Sequence, residues 1–280
     1  MTLREALTAA TSFLAENEGL REYAARDAEL LLLHHLRIDR SRIFSDPNRV
    51  LTEAEQSLFW QSITRRAANE PIQYITGTQE FYGLAFEVTP AVLIPRPETE
   101  LLVEAVLKLL PRDQPLRIAD IGTGSGAIAV TIAHHLPQAQ VTALDLSPEA
   151  LAVARRNAEA HHVADRMDFL HSDLLAAVAG QTFDAILSNP PYIPTSDLST
   201  LHPQVRDHEP HTALFAGPTG LDLYARLIPQ AYEALSPGGL LALEFGYGQQ
   251  EAIRALLADW KDLSFLYDLQ NIPRTALAHR

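Results

Sequence analysis

From Leu116 to the C-terminus, apolar runs of strand length alternate with segments of helical period, and no other feature of this 280-residue chain limits its fold as much. The runs are LRIADIG from Leu116, AQVTALDL from Ala139, MDFLHSD from Met167, FDAILSN from Phe183 and GLLALEFG from Gly239. Such an order predicts βαβ units, hence an α/β fold with a mostly parallel sheet and helices on both faces. The last two runs, SFLYDL and TALAHR, are joined through the short Gln270-Asn271-Ile272-Pro273 turn. A parallel pair needs a crossover of a dozen or more residues, so these two must form an antiparallel C-terminal hairpin.

The residues ahead of the sheet read differently. Leu3, Leu7, Ala10 and Leu14 fall at helical spacing, as do Ala24, Ala28, Leu31 and Leu32. Thr52-Glu53-Ala54-Glu55 is a capping box that opens a further helix carrying Leu58, Phe59 and Ile63. Asp27 and Glu29 are expected on a solvated helix face. Beyond Pro71, the stretch Gln73–Val88 sets Tyr74, Ile75, Phe81, Tyr82, Phe86 and Val88 around two glycines, which predicts a β-hairpin. Pro90, Pro95 and Pro97 stiffen a connector before a helix from Glu98 to Leu110. The expected organisation is a helical N-terminal domain over 1–72, a hairpin and linker over 73–95, and the α/β domain over 96–280.

Charge and composition remove several classes of function. With 22 Lys and Arg against 35 Asp and Glu, the chain carries −13 and disfavours a broad phosphate-binding face. With no cysteine, disulfides, thiol nucleophiles and Cys-ligated metal sites are excluded. The N-terminal segment has no apolar core of a signal peptide, and no 18 apolar residues run uninterrupted, so a cytoplasmic location is expected. The pairs His34-His35, His134-His135 and His161-His162 are adjacent, so their side chains diverge around a helix and no metal site is expected.

Three strand ends carry candidate chemistry. The first run leads into Gly122-Thr123-Gly124-Ser125-Gly126 and then a helix from Ala127, a loop whose backbone can approach a ligand closely. Gly122, Gly124 and Ala127 also satisfy the dinucleotide fingerprint, so the loop alone does not choose between NAD and S-adenosylmethionine. Asp145 ends the next strand, where a carboxylate accepts from ribose hydroxyls. Ser172-Asp173 ends the third, where Asp173 either meets an adenine amino group or belongs to a surface turn. Glu244 is expected to make a structural hydrogen bond inside its strand.

The fourth strand runs into Asn189-Pro190-Pro191-Tyr192. Two consecutive prolines have no N–H, so this backbone offers carbonyls and no donors. The Asn189 side-chain oxygen and the Pro190 carbonyl make a pair of acceptors that matches a planar –NH2 group, and Tyr192 can lie against a flat conjugated face.

Together the glycine loop, Asp145 and Asn189–Tyr192 resemble S-adenosylmethionine-dependent methyltransferases that act on planar amino groups. Glu70-Pro71-Ile72-Gln73-Tyr74-Ile75-Thr76-Gly77, Glu80-Phe81-Tyr82-Gly83-Leu84 and Ile94-Pro95-Arg96-Pro97-Glu98-Thr99-Glu100 narrow the likeness to the peptide chain release factor glutamine methyltransferase family. Arg206, Glu209-Pro210, Ala213-Leu214, Gly220-Leu221-Asp222 and Pro237-Gly238-Gly239 extend it; where that pattern has a glycine in the C-terminal hairpin, this chain has Gln270-Asn271. The resemblance implies a Rossmann-like methyltransferase sheet and methylation of the glutamine side-chain nitrogen in the Gly-Gly-Gln motif of class I release factors. It implies a cofactor site at Gly122, Thr123, Gly124, Ser125, Gly126, Asp145, Asp173, Leu174 and Asn189. Substrate binding falls to Asn189, Pro190, Pro191 and Tyr192, with Asn189, Pro190 and Tyr192 as the catalytic set, while Arg96, Glu98 and Thr99 close the pocket. A monomer without membrane or direct nucleic-acid contact is expected. The rival readings are an adenine-N6 DNA or RNA methyltransferase, opposed by the charge of −13, and an NAD-dependent dehydrogenase, which leaves Asn-Pro-Pro-Tyr unexplained. A non-catalytic binding module is opposed by the intact loop and Asn189.

Overall fold

Threonine caps fix where the N-terminal helices begin. In the computed structural model, which describes residues 1–280, Thr2 accepts from the Glu5 amide and Glu5 reaches back to the Thr2 amide, starting α1 (Leu3–Ala15). Thr52 and Glu55 repeat the device at α4 (Glu53–Ala67), as the capping-box pattern predicts. Between them lie α2 (Ala24–Leu36) and a short α3 (Arg40–Ser45), which the apolar periodicity does not announce. The chain forms two compact units, Met1–Gly77 with His202–His208, and Thr78–Leu201 with Glu209–Arg280. In the first, Leu3, Leu14, Leu20, Leu31, Leu32, Phe59 and Ile63 are fully buried, each contributing about 1.5–3 kcal/mol of transfer free energy. The helix Pro203–His208 (α9 in chain order) belongs to this unit, with the His208 ring 3.2 Å from the Ala68 carbonyl.

Two expectations fail in this unit. Asp27 is buried, not solvated: Arg66 on α4 places its Nε 2.6 Å from the carboxylate and its Nη1 3.0 Å from the Glu70 carbonyl. A partner 39 residues away is invisible to local periodicity. Glu29, one turn's remove from the core, is half-buried and pairs with Arg40. Tyr74 and Ile75 lie in a helix, α5 (Ile72–Thr76), not in the hairpin. The Pro71 carbonyl accepts from the amides of both, and Gly77 closes the turn by donating to Gln73. The hairpin proper is β1 (Thr78–Phe81) and β2 (Leu84–Glu87), joined by Tyr82-Gly83.

In the second unit α6 (Thr99–Leu109) precedes β3 (Arg117–Ile121), α7 (Ala127–His135), β4 (Gln140–Asp145), α8 (Pro148–Ala160), β5 (Met167–His171) and β6 (Phe183–Ser188). After α10 (Asp222–Ala234) come β7 (Leu235–Glu244), α11 (Gln250–Leu256), β8 (Lys261–Tyr267) and β9 (Pro273–His279). The strands stand in the order β5-β4-β3-β6-β7-β9-β8. β5 to β7 run parallel, and β9 pairs antiparallel with both β7 and β8, as the short final turn requires. Asn271 takes the left-handed conformation in that turn (φ 59°). Alternate strand residues face opposite layers. Ile118, Val141, Ala185 and Ala242 pack with α6, α7 and α8, whereas Ala119, Leu144, Ile186 and Leu243 pack with α10 and α11. No helix is long and apolar enough to cross a membrane.

Removing one partner of a buried ion pair strands the other. Asp27→Ala should cost about 3–5 kcal/mol in urea denaturation, and an apolar replacement of both Asp27 and Arg66 should recover most of it. A single variant as stable as the parent would show that the pair contributes nothing.

Candidate active site

Chain connections leave β3 and β6 in opposite directions along the sheet, and α/β folds bind ligands in the crevice such a switch opens at the carboxyl ends of the strands. The Ser188 hydroxyl donates to the Ile121 carbonyl at 2.7 Å and locks these two ends together. Beyond them is a cavity of about 360 Å³, large enough for a small-molecule ligand. It brings together Gly122, Gly124, Asp145, Asp173, Leu174, Asn189, Pro190 and Pro191, eight of the residues expected at the site.

Gly122 and Gly124 have φ of +71° and +56°, and a Cβ added at either meets nothing within 4 Å. The loop backbone therefore presents itself bare to the cavity. Thr123, Ser125 and Gly126 do not line it; they support it from behind. The Thr123 hydroxyl donates to Asp120 at 2.7 Å, the Ser125 carbonyl accepts from Asn157 at 2.8 Å, and Gly126 caps α7.

Three carboxylates are held in different ways. Asp145 accepts from the Gly124 amide at 2.8 Å and the Ser147 amide at 2.9 Å, which fixes its plane at the cavity wall. Burial raises its pKa, and those amide bonds pull in the other direction. Asp173 is half-exposed and paired with Arg226 at 2.6 Å. Leu174 beside it adopts a left-handed backbone (φ 53°), and its carbonyl accepts from Ser172. Asp120 is fully buried, with no partner for Oδ1, and desolvation pushes its pKa up to about 7 against the bonds from Thr123 and Ala129.

The Asn189 amide donates through Nδ2 to the Thr99 hydroxyl at 3.0 Å. Its Oδ1 is left as an acceptor, and no donor of the chain reaches the Pro190 carbonyl. Downstream, the Tyr192 carbonyl accepts from Gln249 at 2.9 Å, the Ile193 amide donates to Leu214, and the Ala216 amide donates back to Ile193. The Tyr192 side chain packs against the core shared with α10 and α11 and does not line the cavity; burial pushes its hydroxyl pKa up. A Cβ on Gly220 would stand 2.2 Å from the Tyr192 carbonyl oxygen, so the segment closes only over a glycine.

Thr99 meets Asn189 directly, whereas Arg96 acts on the wall: it pairs at 2.6 Å with Glu209, which is fully buried and also accepts from the Ile94 amide. That fastens Ala91–Leu93 to Pro210, Thr212 and Ala213, all of which line the cavity. Glu98 is exposed ahead of α6. The apolar wall residues Ala91, Val92, Leu93, Ala213 and Leu223 carry no chemical signature and were not legible in the sequence. Asp120 was missed as well, although an acid amid the apolar residues of a buried strand is itself a signal. Glu244 is also fully buried, and its Oε2 lacks a partner.

Comparison with known proteins gives the family. The family model described as the PrmC N-terminal domain matches residues 5–77, and the methyltransferase small domain matches 97–203. The release factor glutamine methyltransferase of Koribacter versatilis is 45% identical over 100% of this chain and 99% of its own length. That of Moorella thermoacetica is 47% identical with the same coverage. This chain belongs to the release factor glutamine methyltransferase family. A methyltransferase structure from Pyrococcus furiosus, 19% identical, shares the fold with a TM-score of 0.52, covering 81% of this chain and 98% of that one.

Two outcomes test the site of this release factor glutamine methyltransferase family member. Between the ordinary aspartate value of 3.8 and about 7, folded Asp120 keeps a proton that the unfolded chain has released. Its contribution to stability therefore falls as pH rises through that window. Asp120→Asn should gain on the parent protein across it, by at most about 1.4 kcal/mol per pH unit; parallel stability curves would contradict the buried proton. Gly220→Ala should displace the Tyr192 backbone and lower turnover at least about tenfold, the scale of an approximately 1 Å misplacement near a reacting group. Unchanged turnover would show that the close approach is dispensable.

Proposed function

We propose that this chain transfers a methyl group from S-adenosylmethionine to the side-chain amide nitrogen of the glutamine in the Gly-Gly-Gln motif of class I peptide chain release factors. The observation that carries this reading is the acceptor pair at the cavity wall, Asn189 Oδ1 and the Pro190 carbonyl, with no backbone donor on either proline.

The residues fit the cofactor. Asp145 is held by amides so that its oxygens present lone pairs to a ribose diol, Leu144, Leu146, Leu174 and Ala150 offer an apolar bed for a purine, and the bare Gly122 and Gly124 backbone leaves room for the amino-acid tail. When bound, S-adenosylmethionine supplies an electrophilic methyl group.

A carboxamide nitrogen is a weak nucleophile because its lone pair is delocalised into the carbonyl. Asn189 Oδ1 and the Pro190 carbonyl would take one amide hydrogen each and hold the nitrogen for in-line attack, a positioning effect that reaches about 7–11 kcal/mol in ideal cases. The same two dipoles stabilise the positive charge that grows on nitrogen, an oxyanion hole with the signs reversed. Glutamate is refused because its carboxylate sets oxygen lone pairs against oxygen lone pairs. Tyr192 backs the pair from the core side, and Pro191 keeps the turn free of donors.

The helical unit Met1–Gly77 with His202–His208 serves as the substrate-recognition domain, and the unit that opens with the hairpin over 78–87 serves as the catalytic domain. The 13 excess negative charges favour a protein surface over nucleic acid as partner, and the chain acts as a monomer in the cytoplasm.

Labelled methyl transfer to purified release factor tests the reading. Label should require the loop glutamine, and Asn189→Ala should lower kcat about 100- to 1000-fold, the scale for losing one preorganised transition-state partner, with cofactor affinity little changed. Asn189→Asp should also fail, since it cannot donate to Thr99. Turnover by Asn189→Ala at the parent rate, or label on duplex DNA alone, would overturn the assignment.

A further inference from the structure

Outside the cavity, the group least explained by its surroundings is Glu244. It ends β7 fully buried, Oε2 has no hydrogen-bond partner, and no Arg, Lys or His pairs with it. A lone carboxyl in such a place costs several kcal/mol unless it stays protonated or serves a purpose. Its cross-strand neighbour on β9, Thr275, is fully buried with an unpartnered hydroxyl oxygen, so that neighbour does not satisfy it. Burial raises its pKa; among the side chains that lower it are Thr99 and Asn189, and these two are hydrogen-bonded to each other.

Thr99 has one hydrogen to give, and its oxygen already accepts from Asn189 Nδ2. That hydrogen needs an acceptor, and the buried Glu244 carboxyl, whose pKa Thr99 lowers, can supply one. We infer that Glu244 is a positioning residue of the methyl-transfer site, acting through Thr99 to hold the Asn189 amide with Oδ1 turned to the substrate. This rests on the proposed role of Asn189. Without an acceptor behind Thr99, the hydroxyl is free to donate, and the Asn189 amide can flip and present its NH2 to an incoming NH2. With the acceptor in place, only one orientation satisfies all three side chains. Hydrogen bonds in such a sequence also polarise one another. An ionised Glu244 draws the Thr99 hydrogen, the Thr99 oxygen draws the Asn189 N–H, and Oδ1 becomes a stronger acceptor for the nitrogen as it turns positive.

The charged surroundings of Glu244 are mixed. Desolvation chiefly, with help from Glu98, raises its pKa to about 7, while Thr99, Arg274 and Asn189 lower it. Tyr192 and Tyr224 face it as neutral phenols, both pushed up by burial, and Arg96 reaches the same cluster through Tyr192. The carboxyl is therefore poised to change charge near neutrality, and turnover should rise with pH as it ionises.

The test compares Glu244→Gln, Thr99→Val, the double variant and Asn189→Ala in the full-length chain, with release factor as substrate and S-adenosylhomocysteine as the cofactor-affinity probe. Glu244→Gln keeps an acceptor but removes the charge, and should lower kcat about tenfold to a hundredfold, the scale for a supporting group behind a reacting one, with both KM values and S-adenosylhomocysteine affinity held within about threefold of the parent. The losses in Glu244→Gln and Thr99→Val should not multiply in the double variant, because the Glu244 charge acts on Asn189 through the Thr99 hydroxyl. The kcat rise through about pH 7 should vanish in Glu244→Gln. Multiplying losses, a parental kcat or a parental pH profile in Glu244→Gln would overturn the inference while Asn189→Ala remains inactive. A fully active Asn189→Ala would instead overturn the reading of the site beneath it. Should Glu244→Gln fold poorly, Thr99→Ser supplies the second reading: it keeps the hydroxyl and should retain turnover, and a loss equal to that of Thr99→Val would count against the sequence of bonds.

Discussion

A backbone that passes through two prolines has no hydrogens to give, and at the end of β6 this chain puts such a backbone against a ligand cavity. Everything else about the site follows from keeping that place acceptor-only. Asn189 contributes the second acceptor only if its amide points one way, and the bond from Nδ2 to Thr99 sets the direction. One donor in the wrong position would repel a carboxamide NH2 and welcome a carbonyl or carboxylate instead.

The fold serves this constraint from several sides. The parallel sheet delivers the ends of β3, β4 and β6 to one edge, so the glycine loop, Asp145 and Asn189 converge without any of them being near another in sequence. Gln249 and the Leu214–Ala216 segment hold the loop after Asn189 by its backbone. Gly220 allows the approach that this anchoring needs. Arg96 and the buried Glu209 then tie the two flanking wall segments together. Rigid supports of this kind matter because positioning, more than any strong base, makes an amide nitrogen reactive.

Much of this was legible in the sequence, and the boundary of legibility is physical. Strand runs and the short final turn fixed the sheet, including the antiparallel pairing of β8 and β9, because periodicity and connection length are local properties. Gly122, Gly124, Asp145, Asn189 and Pro190 were readable because their chemistry is unusual for their positions. The misses share a cause in long-range contact. Asp27 looked like a solvated helix acid until Arg66 arrived from another helix. Tyr74 and Ile75 have strand-like side chains, but Pro71 and Gly77 bracket a single helical turn and override them. Glu244 was expected only to make a structural hydrogen bond inside its strand, since nothing near it in sequence announces the influence of Thr99 and Asn189 on its carboxyl. Apolar cavity walls such as Ala91–Leu93 belong to the same class: any small apolar residue would serve, so the sequence carries no mark of them.

The most direct measurement is a structure of the chain with S-adenosylhomocysteine and a release factor whose Gly-Gly-Gln loop is intact. The glutamine side-chain nitrogen should lie within hydrogen-bond distance of both Asn189 Oδ1 and the Pro190 carbonyl, facing the cofactor sulfur. A glutamine whose carbonyl oxygen occupies that place, or whose side chain lies elsewhere in the cavity, would contradict it.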